Sequence, residues 1–285
     1  MQWKANITIV GPGRVGNALG PALKRAGYQI SEVISREAAG SQRAARTLAR
    51  ATGADAVTAR VAELTAKVIW FLVPDREISA AARELAPTVS WKGKIAFHSS
   101  GALGSEELDV LRQLGASVAS VHPFMTFVSQ SAPSLEDVPF GIEGDSTAVR
   151  VARGIVGHLS GAPFTLTPEQ KALYHAWGGF TSPMVVSLLV TAEKVAESIG
   201  FSSKDARKLA APIVQQTVAN YARLGAAEAF SGPIVRGDAV VGGKHLEALK
   251  GNPEALAVYV ALARAAVRNL PARNRKELEK VLDGS

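Results

Sequence analysis

The feature that most constrains this fold is a glycine-rich turn close to the start of the chain. The apolar run Ile7–Val10 stops at Gly-Pro-Gly-Arg-Val-Gly, and a helical pattern follows at once. Gly11 permits a tight turn off a strand, Gly13 leaves room for a phosphate to reach the backbone, and Gly16 lets the helix pack close to the strand. The first N–H groups of that helix then face the anion. This pattern predicts a dinucleotide-binding strand–turn–helix unit. Its predicted cofactor-binding residues are Gly11, Pro12, Gly13, Arg14, Val15 and Gly16.

Strand-like and helical patterns alternate through the first half of the chain. The apolar runs are nearly continuous, which is typical of strands covered on both faces. Strands that alternate with helices of this length predict parallel crossover connections, and therefore an α/β domain with a doubly wound, mostly parallel sheet. The predicted strands are 7–10, 29–34, 68–73, 95–98, 117–121, 140–143 and 164–166. The predicted helices between them are 14–26, 38–51, 76–86, 105–114 and 148–159.

The pattern becomes almost wholly helical after Thr167. The run Thr-Pro-Glu-Gln at 167–170 has an N-cap residue, a Pro at the first helical position and a Gln that completes a capping box. Pro183 either kinks a long helix or restarts it, since Pro cannot continue the hydrogen-bond ladder. Further helices are predicted at 204–224, 247–250 and 253–269. We therefore expect a Rossmann dinucleotide-binding domain at 1–166 and an all-helical domain for substrate binding and dimerisation at 167–285.

Composition narrows the class of protein. The 285 residues include no Cys, which excludes disulfides, a thiol nucleophile and Cys-ligated zinc, and we expect no metal site. The chain shows no basic-then-apolar leader, and its longest apolar run is too short for a membrane span, so we expect a cytoplasmic protein that binds no membrane. The net charge is +7, but Lys and Arg are scattered and aromatic residues make up only 6%. This favours small anionic ligands over nucleic acid.

The end of the second predicted strand indicates which dinucleotide binds. NAD sites usually place Asp or Glu there, whereas this chain has Ser35 and Arg36. Ser35 can donate to a phosphate oxygen, and Arg36 can pair with a 2′-phosphate and stack on adenine. The alternative is a solvated Arg36 at a helix entrance. We therefore predict NADP(H) as the cofactor, with Val73 and Pro74 beside the nicotinamide and Ser99 near its amide.

Polar side chains follow other predicted strands at the carboxyl edge of the sheet, where ligands of open parallel sheets bind. His98, Ser100 and His122 lie there. His98 and His122 are candidate proton donors, because imidazole titrates near neutral pH, and His98 and Ser100 are also candidate substrate contacts. The alternative for each histidine is a structural role, capping a turn or bonding a carbonyl.

Two further groups lie in the predicted helical domain. Lys171, Tyr174 and His175 are spaced i, i+3 and i+4, so they share one helix face. Lys171 then offers a cation and His175 a proton donor, unless Tyr174 packs in the core and Lys171 is solvated. Arg236 and Asp238 follow a Gly-Pro turn, and together they are candidates for clamping a substrate carboxylate. The alternative for that pair is a structural contact between helices.

These motifs occur in order along nearly the whole chain, and they resemble a known group of proteins. The motifs are Gly11–Gly16, His-Ser-Ser-Gly-Ala-Leu at 98–103, Val-His-Pro-Phe-Met-Thr-Phe at 121–127, Lys171 with Tyr174 and His175, and Gly-Pro-x-x-Arg-Gly-Asp at 232–238. The group combines a Rossmann-like domain with a C-terminal helical domain of unknown function. In layout it is similar to the 6-phosphogluconate dehydrogenase-like superfamily. That superfamily includes 3-hydroxyisobutyrate dehydrogenases, ketopantoate reductases, pyrroline-5-carboxylate reductases and coenzyme-F420-dependent NADP reductases.

The resemblance implies a homodimer formed through the helical domain, which also closes the active site. In the hydroxyacid members of the superfamily a helix lysine lies near the reacting carbonyl, and an Asn follows about one turn later. Lys171 matches the lysine by this resemblance. The chain departs from the pattern at the amide, because His175 stands at that spacing and Pro183 lies where a later Asn is expected.

We therefore expect an NADP-dependent oxidoreductase that transfers hydride between NADPH and a small carboxylate-bearing carbonyl, alcohol or imine. A reduction of the ketopantoate type is the first specific candidate. A non-catalytic NADP-binding sensor or scaffold is the alternative, since no single constellation of residues excludes it. An S-adenosylmethionine methyltransferase is disfavoured, because such enzymes usually carry an acid where Ser35 and Arg36 stand.

Overall fold

The computed structural model describes residues 4–128 and 133–284 of the chain. They form two compact units that meet in sequence between Gly179 and Phe180. No helix within these ranges is both long and apolar enough to cross a membrane.

One sheet organises the first unit, and in the described part of the chain it has eight strands in the order β3-β2-β1-β4-β5-β6-β7-β8. The strands are β1 (Ile7–Val10), β2 (Ile30–Ser35), β3 (Asp55–Thr58), β4 (Val68–Phe71), β5 (Ile95–His98), β6 (Ser117–Pro123), β7 (Pro139–Gly144) and β8 (Ala162–Thr165). Neighbours from β3 to β6 are parallel, β7 runs antiparallel to β6, and β8 is parallel to β7. The prediction of a doubly wound, mostly parallel sheet is confirmed.

Both faces of this sheet are covered. Ile9 and Trp70 belong to one apolar core, while their chain neighbours Val10 and Phe71 belong to another. Successive side chains of a strand point to opposite faces, so β1 and β4 each contribute side chains to both cores. The covering helices are α1 (Arg14–Arg25), α2 (Ala39–Thr52), α3 (Ile78–Leu85), α4 (Asp109–Gln113), α5 (Ser146–His158) and α6 (Lys171–Thr181).

Helix α6 begins where the sequence predicts a helix start. Thr167 and Gln170 form the expected capping box around a single 3₁₀ turn that leads into the helix. The compact first unit runs to Gly179 and includes the buried Lys171 and Tyr174 of α6. The helical pattern of the sequence does not reveal this packing of α6.

The second unit is helical. Its helices are α7 (Pro183–Glu197), α8 (Ser203–Leu224), α9 (Ala226–Ala229), α10 (Pro233–Arg236), α11 (Ala239–Leu249), α12 (Pro253–Asn269) and α13 (Arg275–Asp283). Pro183 is the first residue of α7, so it restarts the helix. Leu246, Val267, Leu278 and Leu282 form a small core between α11, α12 and α13. In the region of α11 the sequence predicted only a short helix at 247–250, because the pair Gly242-Gly243 lowers helix propensity.

Candidate active site

A cavity of about 460 Å³ opens at the carboxyl edge of the sheet, beside β1. β1 pairs with β2 on one side and β4 on the other, so the strand order reverses direction here. Ligands of open α/β sheets bind at such a switch point. The cavity is lined by the glycine turn, the end of β2, the start of α2, the residues after β4, and α3.

The glycine turn has the close contacts that its sequence predicts. Gly11 has φ +101°, and a Cβ atom there would lie 2.8 Å from the backbone of Leu72. A Cβ atom at Gly16 would lie 2.8 Å from the carbonyl oxygen of Gly11, so α1 packs directly on the turn. Gly11, Pro12 and Gly13 line the cavity, whereas Arg14 is exposed. The turn therefore presents bare backbone to the cavity.

Ser35 and Arg36 also line the cavity, at the end of β2. The Ser35 hydroxyl is buried and has no hydrogen-bond partner among the described residues. A buried hydroxyl without a partner carries a desolvation cost, so its position favours a polar ligand atom. The Arg36 guanidinium is paired with Glu77, at 2.9 Å between Nη1 and Oε1.

Several lining residues were missed by the sequence analysis. Gly40 and Ser41 come from the first turn of α2, which contains no acidic residue. Glu77 and Glu84 come from the segment after β4 and from α3. The helix predicted to start just after Arg36 could have indicated Gly40 and Ser41 as binding residues, because helix N-termini favour anions. The approach of Glu77 to Arg36 joins residues 41 positions apart and has no local signal.

The loop after β5 is held by its own side chains. The buried His98 ring accepts a hydrogen bond from the backbone of Ser100 at Nδ1 (3.1 Å) and bonds the carbonyl of Gly104 at Nε2 (2.8 Å). Burial lowers the pKa of His98 to about 4, so its ring is neutral at pH 7. Both ring nitrogens are used within the loop, and the geometry matches the structural alternative for this histidine.

The two loop serines are similarly engaged. Ser99 Oγ donates to the carbonyl of Val121 and accepts from the Trp70 indole, which ties β4, β5 and β6 together. Ser100 Oγ donates to Asp75 at 2.8 Å and accepts from two backbone N–H groups of its own loop. Since Asp75 directly follows Val73 and Pro74 of the cavity lining, Ser100 connects this loop to the cavity.

Lys171 is almost fully buried. Its Nζ donates to the carbonyl of Ser100 at 2.7 Å and to Ser120 Oγ at 2.6 Å. Burial lowers the pKa of Lys171 to about 8, an effect opposed by the more distant charge of Glu143. The ammonium therefore fastens α6 to β6 and to the loop after β5, instead of reaching into open space.

His122 and Tyr174 form a second connection between β6 and α6. His122 Nδ1 and the Tyr174 hydroxyl lie 2.8 Å apart, with the rings edge to face. Burial lowers the pKa of His122 to about 3, with further lowering by the charge of Lys171. Burial raises the pKa of Tyr174, which also contacts the rings of Phe124 and Phe164. The imidazole is therefore neutral and the phenol protonated across the physiological range.

The other edge of the His122 ring faces the loop after β5. A Cβ atom at Gly101 would lie 2.8 Å from His122 Nε2 and 2.5 Å from His175 Cδ2, so only glycine fits between the two rings. The ring centroids of His122 and His175 are 6.1 Å apart. His175 is exposed, whereas Tyr174 behind His122 is buried. The structure thus brings His122, Lys171 and His175 of the predicted site together at the carboxyl edge of the sheet.

The low pKa values of His98 and His122 make unfolding pH-dependent. An unfolded histidine binds a proton below about pH 6.5, while the folded rings resist protonation to about pH 4 and pH 3. The free energy of unfolding is therefore expected to fall as the pH drops from 6.5 towards 4, by up to about 1.4 kcal/mol per pH unit for each ring. Urea denaturation at pH 7, 6 and 5 measures this slope. His122→Gln should reduce the slope by about one proton, and an unchanged slope would contradict the assignment.

Arg236 and Asp238 belong to the second unit. Arg236 is the exposed last residue of α10, and Asp238 caps α11 by accepting a hydrogen bond from the backbone of Val241 at 3.0 Å. Gly237 between them has φ +70° and ends α10. Asp238 therefore has a structural contact of its own, while the guanidinium of Arg236 reaches solvent.

The strand order and the glycine turn at the switch point define a Rossmann-type α/β protein. Residues 1–123 match the family model described as a Rossmann-like domain. Residues 138–266 match the domain of unknown function DUF2520. The chain therefore combines a Rossmann-like domain with a C-terminal DUF2520 domain, as its motifs predict. No curated protein sequence matches it significantly.

Solved structures share this fold over nearly the whole chain. A candidate NADP oxidoreductase from Bacteroides fragilis is 22% identical, with a TM-score of 0.76, covering 92% of this chain and 97% of its own. A protein from Thermotoga maritima is 23% identical, with a TM-score of 0.72, covering 98% of both chains. A reductive aminase from Aspergillus terreus, solved with NADPH and ethyl-5-oxohexanoate, is 16% identical, with a TM-score of 0.64, covering 98% of this chain and 99% of its own.

Proposed function

We propose that this protein is an NADP-dependent oxidoreductase that reduces a small carbonyl or imine at the carboxyl edge of its sheet. The observation that carries the proposal is the cavity at the switch point, where the unpartnered Ser35 hydroxyl and Arg36 lie on one side. On the other side, the Ser100–Asp75 hydrogen bond joins the residues after β4 to the loop after β5, and Gly101 of that loop packs against His122. The oxidoreductase and NADPH descriptions of proteins with the same fold support this reading.

The residues present fit a phosphorylated dinucleotide. The bare backbone at Gly11 and Gly13 leaves room for a pyrophosphate next to the N-terminus of α1. Ser35 Oγ and the Arg36 guanidinium are suited to a 2′-phosphate, since a hydroxyl and a guanidinium both donate to phosphate oxygens. Val73 and Pro74 continue the cavity towards the loop after β5. When bound, the dinucleotide would supply the hydride.

Within the proposal, His122 donates the proton. The Tyr174 hydroxyl lies 2.8 Å from His122 Nδ1, and burial raises the pKa of the phenol, so the phenol keeps its proton. We assign that proton to the hydrogen bond with His122 Nδ1, which then accepts it. His122 Nε2 then carries hydrogen on the edge of the ring that faces Gly101 and the exposed His175. A neutral imidazole can polarise and protonate a substrate from this position, and the exposed His175 can return a proton from solvent.

Lys171 has a different role in the proposal. Its ammonium is buried and bonded to Ser100 and Ser120, so we assign it to positioning the loop after β5 and not to holding substrate charge. The substrate-carboxylate role of the exposed Arg236 stays a prediction from the sequence. We further propose that the substrate carries a carboxylate, with ketopantoate as the first specific candidate.

The test is the loss of NADPH absorbance with pairs of substrates that differ only in a carboxylate. Suitable probes are pyrroline-5-carboxylate against 1-pyrroline, and ketopantoate against a neutral ketone with and without an added amine. Turnover of the carboxylated member alone supports the finer proposal, and its loss in Arg236→Gln would assign that residue. Turnover of both members would indicate an imine or ketone reductase that does not select for a carboxylate. NADPH binding without turnover of any probe would favour the sensor alternative.

We propose further that the protein is a cytoplasmic homodimer assembled through its helical unit. Exposed apolar side chains on α7 and α8 support this, because soluble monomers rarely expose many large apolar groups together. They include Met184, Val186, Val190, Leu209, Ile213 and Tyr221. Light scattering at micromolar concentration tests the assembly, and a monomer mass would contradict it.

A further inference from the structure

The guanidinium proposed to bind the 2′-phosphate already has a partner inside the cavity. Arg36 Nη1 lies 2.9 Å from Glu77 Oε1, with 67% of the Arg36 side chain exposed and 23% of that of Glu77. Arg36 follows β2 and Glu77 follows β4, the two strands that flank β1. The ion pair therefore spans the switch point where the cavity opens.

The position of Glu77 is set by its surroundings. It lies in a 3₁₀ turn, Asp75–Glu77, that leads from Pro74 into α3. Ile78, the next residue, is fully buried, which holds the backbone of Glu77 at the wall of the cavity. Arg76 is mostly exposed and its Nε is 3.9 Å from the same carboxylate oxygen. Glu77 thus lines the cavity together with Arg36 and the unpartnered Ser35 hydroxyl.

An anionic group that binds Arg36 must meet this carboxylate. A phosphate monoester carries a charge of about −1.5 to −2 at pH 7, so it competes with Glu77 for the guanidinium and is repelled by it. A 2′-hydroxyl carries no charge and avoids both effects. The Arg36–Glu77 ion pair therefore lowers the affinity for the phosphorylated dinucleotide more than the affinity for the unphosphorylated one.

We propose that Glu77 is a specificity-determining residue that restrains NADPH binding by occupying Arg36. This role rests on the proposed NADP-dependent function. Arg36 supplies the preference for the 2′-phosphate, and Glu77 reduces the size of that preference.

The test is the affinity of Glu77→Gln for NADPH and NADH, measured by calorimetry or protein fluorescence without any substrate. Glutamine keeps the shape of the side chain and removes its charge. We expect NADPH to bind about five- to thirty-fold more tightly, the combined effect of freeing Arg36 and removing a nearby like charge. NADH should change less than about twofold, since it has no 2′-phosphate to repel.

Glu63→Gln is the matched control. Glu63 is an exposed glutamate of the same unit that does not line the cavity. Its removal alters the net charge equally without touching Arg36, so the NADPH affinity should change less than about twofold. An equal gain in the two variants would show a general charge effect and overturn the role of Glu77.

A double-mutant cycle with Arg36→Gln isolates the contact. In that background Glu77→Gln should give clearly less gain in NADPH affinity than in the wild type. A gain of the same size would mean that Glu77 acts without Arg36, which contradicts the proposal. If the wild-type protein binds NADPH as tightly as Glu77→Gln does, the role of Glu77 is wrong and the proposed NADP-dependent function still stands. Failure of every variant to bind either dinucleotide overturns the proposed function and this role with it.

Discussion

Replacing Tyr174 with Phe is expected to lower kcat about two- to tenfold while changing KM for NADPH and for substrate only slightly. The variant keeps the ring that packs against Phe124 and Phe164, and it removes the hydroxyl that lies 2.8 Å from His122 Nδ1. Without that donor the neutral imidazole can place its hydrogen on either nitrogen. The fraction that presents Nε2–H to the substrate then falls, which slows the chemical step without removing a binding contact.

The helical unit offers a matched control for this substitution. Tyr259 bonds His245 Nδ1 at 2.9 Å, with the rings edge to face, as in the proposed site. Tyr259→Phe removes an equivalent hydrogen bond and should leave kcat unchanged. The ¹⁵N shifts of His122 give a readout that a purely structural role would not move, and they should report the Nε2–H tautomer in the wild type only. Full activity of Tyr174→Phe would exclude the proposal that Tyr174 fixes His122 as the proton donor at Nε2.

Gly11→Ala is expected to destabilise the protein by about 1–3 kcal/mol and to weaken NADPH binding at least about 100-fold. At φ +101° an alanine is strained, and its Cβ would lie 2.8 Å from the backbone of Leu72 and from Val73 Cγ1. Backbone cannot yield as a flexible side chain does, so the turn must shift away from β4. That shift would deform the cavity wall where the cofactor is proposed to bind. Thermal unfolding and calorimetric titration measure the two effects.

Gly13→Ala separates folding from binding. Gly13 has φ −78°, and a Cβ there would lie 3.6 Å from the carbonyl oxygen of Leu72, an ordinary contact. The variant should therefore unfold at nearly the wild-type temperature and still bind NADPH more weakly, because its methyl group occupies space proposed for the pyrophosphate. Equal stability losses in the two variants would contradict the strain assigned to Gly11. Wild-type NADPH affinity in Gly13→Ala would place the pyrophosphate elsewhere.

Local patterns in the sequence were sufficient for most of the fold. The strand that begins at Ile7 and the helix that begins at Arg14 were predicted because apolar runs and helix periodicity are local properties. Strand β3 was missed, since Asp55–Thr58 is a half-exposed edge strand whose pairing with β2 defines it. Helices α9, α10 and α13 were also missed. The first two are single turns, too short for a periodic pattern to appear.

The residues of the candidate site also fall into two groups, those that local sequence predicts and those that only the fold brings together. Gly11, Ser35 and Arg36 were identified from spacing, because the turn and the end of the following strand stand in a fixed sequence relation. The contacts that change the chemistry join distant residues. Glu77 reaches Arg36 from 41 positions away, and Tyr174 reaches His122 from 52 positions away. Residue types alone made Arg36 and His122 candidates without indicating their partners, and they did not make Glu77 a candidate.

The sequence by itself determined a Rossmann-type sheet, a helical C-terminal region and a nucleotide-type turn, since periodicity, glycine geometry and capping act within a few residues. Tertiary structure alone decided the state of the polar groups. It buried Lys171 against Ser100 and Ser120, lowered the pKa of His122 to about 3, and set Glu77 against Arg36. The physical reason is that desolvation and charge pairing depend on distances through space, and folding brings together groups that the chain keeps far apart.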